Sequence, residues 1–328
     1  MQQHTDISAI YWFAFYNPDS PAVRYRGQYP MRSFREKHGI RCFFVYPSYT
    51  PGAIGKFIRA YFLALFFPGP DSIIVIQRVR SRFIFGQLLR FLVMVRKKRT
   101  IYDLDDADYL DKPNTMIYHF LRSCDRLSAG SLEIESHFRQ FNDKVLHISS
   151  PIVDLQIVKQ KRNELFTIGW VGYFVTDHKK GLLEIIFPAI KALPFPCRFL
   201  LVGMRSAEER AMVSSIFEDA PHVQLDMPEM PTWRDEEAIQ RLIVQFDAGV
   251  ATLYDNPLQR AKSGIKVKQY MNNGIPTLSS DLPENNFVLV DGETGFFCSD
   301  AHLLQSVCGF CMIWFEFLVA GIFYKEAR

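Results

Sequence analysis

One rhythm constrains the fold of this 328-residue chain more than any other feature. Short apolar runs rich in β-branched and aromatic residues alternate with helical patterns, the alternation lapses once, and then it begins again. In the first half the strand-like runs fall at 7–15, 40–45, 72–77, 100–104, 126–129 and 144–148. Helical patterns occupy 22–37, 53–66, 82–97 and 114–122, and Ser131 opens one more. Alternation of this kind predicts an α/β fold, a doubly wound parallel sheet with its ligand sites past the carboxyl ends of the strands. The lapse covers 149–164, SSPIVDLQIVKQKRNE, where a proline, mixed charge and the loss of period mark an interdomain connection. The second half resumes with strands at 166–171, 198–202, 223–225, 248–253 and 276–280. Its helices fall at 206–217, 235–246 and in LLEIIFPAIKAL, where Pro188 predicts a kink.

A chain of this length suits two domains, and 48% hydrophobic with 22% charged residues is ordinary for a globular protein. A net charge of +3 argues against a dedicated nucleic-acid binder. The start, MQQHTDISAIYWFAF, has no basic n-region and no small-residue cleavage site, so a cytoplasmic location is expected. Six cysteines in mostly apolar surroundings read as reduced core residues; Cys308 and Cys311 form a CxxC that, without a second pair, specifies neither zinc nor redox chemistry. From 303 to 324 the chain is nearly all apolar, approaching the length of a membrane span, but Glu316 within it is costly in lipid. Two readings of 301–328 stay open, a divergent or truncated end and a membrane-contacting helix. KFIRAYFLALFF and the helix ending in RKKR at 96–99 combine apolar surface with positive charge, the pattern of a peripheral protein at an anionic leaflet; core burial explains the apolar part equally well.

The most informative stretch is 260–297, RAKSGIKVKQYMNNGIPTLSSDLPENNFVLVDGETGFF. Ser263 suits an N-cap, 265–273 a helix, and Gly274 its end. Val267, Tyr270, Met271 and Gly274 share a core face, while Lys262, Lys266, Gln269 and Asn273 share another. Two lysines at a helix start make either a phosphate site or a solvated lysine face. Asn17, Arg24 and Arg26 follow the first strand, where arginine suits a phosphate or sugar carboxylate, or again a solvated helix face. Arg78 follows the third strand, with Arg80 and Arg82 adding charge. YDLDDADYL puts Asp103, Asp105, Asp106 and Asp108 at the end of the fourth, as a divalent-cation site, a structural or acceptor-side acidic loop, or the source of a general base. In the second half Gly172 permits close backbone approach to a ligand, and Lys179 or Lys180 reaches a diphosphate or is plain surface.

The run from Lys262 to Phe296 resembles the donor-site signature of the family 4 (group 1) glycosyltransferases, K-S-x-x-K-x-x-E-Y-M-A-x-G-x-P followed by G-x-N and D-G-x-x-G-F. Lys262, Ser263, Lys266, Tyr270, Met271, Gly274, Pro276, Asn286, Asp291, Gly292, Gly295 and Phe296 stand in those places. Gln269 replaces the glutamate that binds the donor ribose, Glu284 replaces the glycine of G-x-N, and the first glutamate of the family's spaced pair, near Ala261, is absent. The S-x-x-x-R-x-R segment ending at Arg26, Gln77-Arg78 and the Y-D-x-D-D at 102–106 are similar to family features as well. The resemblance is strongest over 166–297 and continues more weakly over 8–148.

It implies the GT-B architecture, two Rossmann-like doubly wound parallel-sheet domains facing a cleft. Residues 1–148 would form the acceptor-side domain, 149–164 the linker, 165–300 the nucleotide-sugar-binding domain and 301–328 an apolar tail. The implied activity is transfer of a sugar, with retention, from a nucleotide-diphosphate sugar to a hydroxyl acceptor, without metal or other cofactor. The acceptor would be a glycan or lipid-linked molecule of polysaccharide, lipopolysaccharide or glycolipid synthesis at the inner face of the cell membrane. Lys180 and Lys266 would neutralise the leaving diphosphate. Gly172, Lys262, Ser263, Gln269 and Asn286 would bind the donor, and Asn17, Arg24, Arg26, Arg78, Asp105 and Asp106 would lie on the acceptor side. Gln269, the missing first glutamate and the tail favour an alternative, a catalytically degenerate partner that keeps the fold. A nucleotide-sugar epimerase ranks third, for want of an acid/base pair in the second domain.

Overall fold

The structure, a computed structural model, describes residues 7–319 except 49, 70, 82–83, 113, 160 and 230–231, with the side chains of 176, 177, 310 and 313–319 also left out. The predicted helix start at Arg82 and the tail from 320 lie outside the described residues. The chain divides into two compact units, the first running to Pro151 and taking in Arg260–Ser263, the second formed by Ile152–Gln259 and the rest from Gly264.

In the first unit six parallel strands, β1 (Ala9–Ala14), β2 (Arg41–Val45), β3 (Ser72–Gln77), β4 (Thr100–Leu104), β5 (Arg126–Ala129) and β6 (Val145–His147), lie in the order β2-β1-β3-β4-β5-β6. Every residue of β1 is buried, because helices cover the sheet on both faces. Helix α1 (Tyr29–His38) lies over Ile10, Trp12 and Ala14 through Met31. On the opposite face Phe13 meets Phe57 of α2 (Pro51–Phe66) edge-on at 6.0 Å. Helix α3 (Ile84–Arg96) follows on that side, its Phe85 ring 5.1 Å from Phe57. Tyr102 stacks on Phe120 of α4 (Thr115–Ser123) at 5.3 Å. Ser131 caps α5 (Leu132–Phe138) as its sequence position predicts, accepting from the Ile134 N–H at 3.3 Å.

In the second unit β7 (Phe166–Val171), β8 (Cys197–Val202), β9 (Val223–Asp226), β10 (Ala248–Ala251), β11 (Thr277–Ser279) and β12 (Gly295–Phe297) lie in the order β12-β11-β10-β7-β8-β9, all parallel. The sequence predicts five of these; β12 falls in DGETGFF, read as a turn, because three residues are too few to show a period. The helix predicted to kink at Pro188 is longer and differently wound: α6 (Thr176–Gly181) runs into a π turn over Leu182–Ile186 and then α7 (Phe187–Lys191). A proline clashes with the carbonyl four residues before it, here that of Glu184, and the widened turn is centred on that residue. The same pairing recurs before α1, where a π turn over Arg24–Gln28 is centred four residues before Pro30.

Helices α8 (Ala207–Ile216) and α9 (Glu236–Ile243) complete the middle of this unit, each opened by a capping side chain, Ser206 and Asp235. Helix α10 (Ile265–Asn272) follows β10, α11 (Pro283–Val288) follows β11, and α12 (Ala301–Val319) follows β12. The first turns of α12 belong to the core, with Leu304 and Cys308 fully buried one turn apart. No helix among the described residues is long and apolar enough to cross a membrane. All six cysteines are free thiols, and burial pushes that of Cys298 up to about 12.

Strands β7 and β10 pair only at Ala248 with Ile168 and Gly249 with Gly169, and then part. The hydroxyl of Tyr270, on the buried face of α10, takes over: it accepts from the Val171 N–H at 3.1 Å and lies 3.4 Å from the Val250 carbonyl. Its ring has room because residue 249 is glycine; a Cβ there would lie 2.5 Å from it. One phenol thus satisfies backbone groups that the diverging strands leave unpaired.

Candidate functional site

Each sheet reverses its winding at one place, beside β7 and β10 in the second unit and beside β1 and β3 in the first. In open α/β sheets such switch points hold the ligand, past the strand ends.

In the second unit Gly172 follows β7, Thr252 to Tyr254 follow β10, and α10 begins nearby. The predicted N-cap, Ser263, is displaced by Gly264, whose φ of 59° and ψ of 24° are the left-handed turn that glycine adopts without penalty. The N-cap glycine has no side chain with which to cap the helix, and the first-turn N–H groups of a helix look outside it for partners. Lys266 stands in that first turn, half-buried, its Nζ 3.2 Å from His178 Nε2 and 5.6 Å from the Trp170 ring centroid. A Cβ on Gly172 would come within 3.0 Å of Lys266 Cε and 2.9 Å of Trp170. The ammonium can only donate, so His178 Nε2 accepts, which assigns the ring proton to Nδ1, 3.3 Å from the Tyr173 carbonyl. A cation in a helix's first turn opposes the helix dipole, and an anion bound there would relieve it.

Lys180, in the last turn of α6, is exposed with its ammonium 4.5 Å over the Tyr254 ring. The Tyr254 hydroxyl donates to Glu184, and partial burial with that carboxylate pushes the phenol up to about 12. The buried Thr252 hydroxyl has no partner among the described residues. Gln269 is buried on α10. Asn286 is exposed and donates to Asp281, whereas its neighbour Asn285 is buried and bonded to Ser279 and the Ser280 carbonyl. Glu284, 1% exposed, has its Cγ 3.5 Å from the Cβ position of Gly264, so a carboxylate already occupies that side of the helix start.

In the first unit Asn17 is exposed and closes a turn by accepting from the Asp19 N–H at 2.9 Å. Arg24 and Arg26 are enclosed at 2% and 5% exposure, which excludes a solvated helix face. Arg24 donates to the carbonyls of Pro18 and Asp19. Arg26 makes a two-pronged pair with Asp103 and also donates to Ser128 and the Ile148 carbonyl. Arg78 ends β3 at a φ of 56°, a strained conformation for a residue with a Cβ. Its guanidinium donates twice to Asp108, at 2.9 and 2.8 Å, lies 2.8 Å from Asp106, and sits 5.1 Å over the Tyr16 ring. Lys262 donates to the other oxygen of Asp106 at 2.8 Å.

The four aspartates are therefore unequal. Asp103, Asp106 and Asp108 are bound to cations, while Asp105, 6% exposed, is 3.4 Å from Arg78 Nη1 yet its Oδ1 finds no hydrogen bond among the described residues. Burial raises Asp105 to about 6 despite Arg78. Asp106 is only partly buried, and Arg78 and Lys262 outweigh its desolvation and hold it well below the usual carboxylate range. No three metal-ligating side chains converge among the described residues. The arrangement offers a carboxylate able to take a proton near neutrality beside a fixed guanidinium. Sequence reasoning missed Trp170 and His178, since neither lies at a spacing that ties it to Lys266, and it did not separate Asp105 from its neighbours.

The fold is the GT-B fold. It is similar to Anabaena HepE solved with UDP-glucose, at TM-score 0.65 and 12% identity over 94% of this chain and 90% of that one. A glycosyltransferase of Rickettsia africae gives TM-score 0.67 and 13% identity over 95% and 89%. The pneumococcal O-GlcNAc transferase GtfA, solved with UDP and GlcNAc, gives 0.51 and 13% over 75% of this chain and 50% of its own. No family model matches the sequence, and no curated protein matches it.

Proposed function

We propose that the chain is a glycosyltransferase, of the family 4 kind its sequence resembles, that moves a sugar from a nucleotide-diphosphate donor to a hydroxyl acceptor. The observation that carries this reading is Lys266, a cation held in the first turn of α10 by His178 and Trp170 over the close-packed Gly172. A cation there, at a switch point, suits a diphosphate. The fold neighbours solved with UDP or a UDP-sugar make UDP-sugars the first donors to try.

In this mechanism Lys266 and the exposed Lys180 meet the charge that grows on the leaving diphosphate, so the site works mainly by electrostatic stabilisation. Gly172 lets the donor approach the backbone, and Gln269 hydrogen-bonds the ribose through its amide. In the first unit Arg78, with Asp106, positions the acceptor, and Asp105 takes its hydroxyl proton. Transfer proceeds with retention and without a metal, and the acceptor is a glycan or lipid-linked hydroxyl of polysaccharide, lipopolysaccharide or glycolipid synthesis. The test is product formation from UDP-, GDP- and ADP-sugars with and without chelator, scored for anomeric configuration. Lys266→Ala should cost about 2–4 kcal/mol in the barrier, a thirtyfold to thousandfold loss; unchanged transfer sinks the role. Gln269, where the resembled family has a carboxylate, favours a second reading, a non-catalytic GT-B partner, which predicts nucleotide-sugar binding without turnover.

A further inference from the structure

We infer that the outer surface of α2 and α3 in the first unit docks on an anionic lipid leaflet. The surface goes beyond the transferase reading and does not depend on it. On α2, Ile54, Ile58, Phe62 and Phe66 recur every fourth residue and are each 43–60% exposed. Phe62 lies 4.8 Å from Phe66 and 5.8 Å from Phe67, so three rings cluster together in solvent. On α3, Ile84, Phe91 and Val95 form a second stripe with 52–80% exposure. The two helices are joined beneath, where Tyr61 donates to the Leu88 carbonyl at 3.0 Å, so the stripes belong to one surface. Contiguous apolar exposure of this kind marks an interaction site.

Charge selects the occupant. Between Lys37 and Tyr102 the sequence has a single acidic residue, Asp71, and Arg99 pairs with it at 2.9 Å. Lys56, Arg59, Arg90, Lys97 and Lys98 flank the two stripes and make no ion pair among the described residues. Apolar rings to enter the acyl boundary, ringed by cations to meet lipid headgroups, are the features of a helix surface that lies in a membrane interface. The surface cannot span, since no described helix is long and apolar enough. A second copy of this chain would have to bring its own matching cations against these, which disfavours self-association.

The test is co-sedimentation of the full chain with phosphatidylcholine vesicles, plain or carrying about one-third phosphatidylglycerol. Binding is expected only to the anionic vesicles and should weaken with salt. Lys97→Gln/Lys98→Gln should weaken it roughly 25-fold, about fivefold for each cation near the surface. Phe62→Ser/Phe66→Ser/Phe67→Ser should weaken it at least as much with melting unchanged, because these rings are already exposed. The proposal is overturned by failure to bind anionic vesicles, by binding indifferent to both variants, or by a dimer in sedimentation velocity that the serine variant splits. None of these outcomes involves a nucleotide or a sugar.

Discussion

Asp105→Asn should make the first unit more stable at neutral pH, although it removes a charge from a cluster that looks paired. Burial raises Asp105 from 3.8 to about 6, and its Oδ1 finds no hydrogen bond among the described residues. The native state therefore holds this proton more tightly than the unfolded chain does. Between the two values it binds more protons, so stability falls as pH rises through that window, and the whole cost is present above about 6. About two units at 1.36 kcal/mol each give a cost on the order of 3 kcal/mol, an upper figure because Arg78 can relax toward Asp105. Asp106 has the opposite slope, lending stability that is lost as pH falls through its depressed value, which lies below the window in which Asp105 titrates. Hydrogen exchange of the amides of β4, read as the ratio of variant to parent at each pH, isolates the effect. We expect exchange slower by up to about a hundredfold near neutrality, converging on the parent as pH falls below about 4. A destabilised variant at neutral pH, or a difference independent of pH, would mean that Asp105 carries no burial cost.

Three further outcomes follow from single contacts. Arg26→Met leaves Asp103 buried without its cation and should cost about 3–5 kcal/mol, read as a lowered unfolding midpoint. Tyr270→Phe strands the Val171 N–H where β7 and β10 part, and should cost about 1–3 kcal/mol with the rest of the core intact. Gly172→Ala puts a methyl 2.9 Å from the buried Trp170 and 3.0 Å from Lys266 Cε, so nucleotide affinity should drop at least about tenfold by calorimetry and the unfolding midpoint should fall as well, by about 1–3 kcal/mol of stability.

The sheets were legible because a strand buried on both faces is a continuous apolar run, as in IIVIQ before Arg78 or FTIGWV before Gly172. Caps were legible where the side chain itself bonds the helix, as at Ser131, and not at residue 264, where a backbone angle does the capping. Both π turns were signalled by a proline four residues on, a cue read only as a kink at Pro188 and not read at Pro30. Lys266 and Gly172 came from local pattern. His178 and Trp170 did not, because a contact across 88 residues leaves no mark on spacing. Nor does sequence tell a ligand-seeking arginine from one that holds a core together: Arg26 is consumed by Asp103, a pairing 77 residues apart.

Calorimetric titration of the whole chain reads directly whether the second unit binds a nucleoside diphosphate through Lys266. UDP, GDP, ADP and CMP would be titrated with and without Mg²⁺, beside Lys266→Ala. Metal-independent binding of one nucleoside diphosphate is expected, and its loss in the variant. Binding that the variant retains, or no binding of any nucleotide, would contradict this expectation.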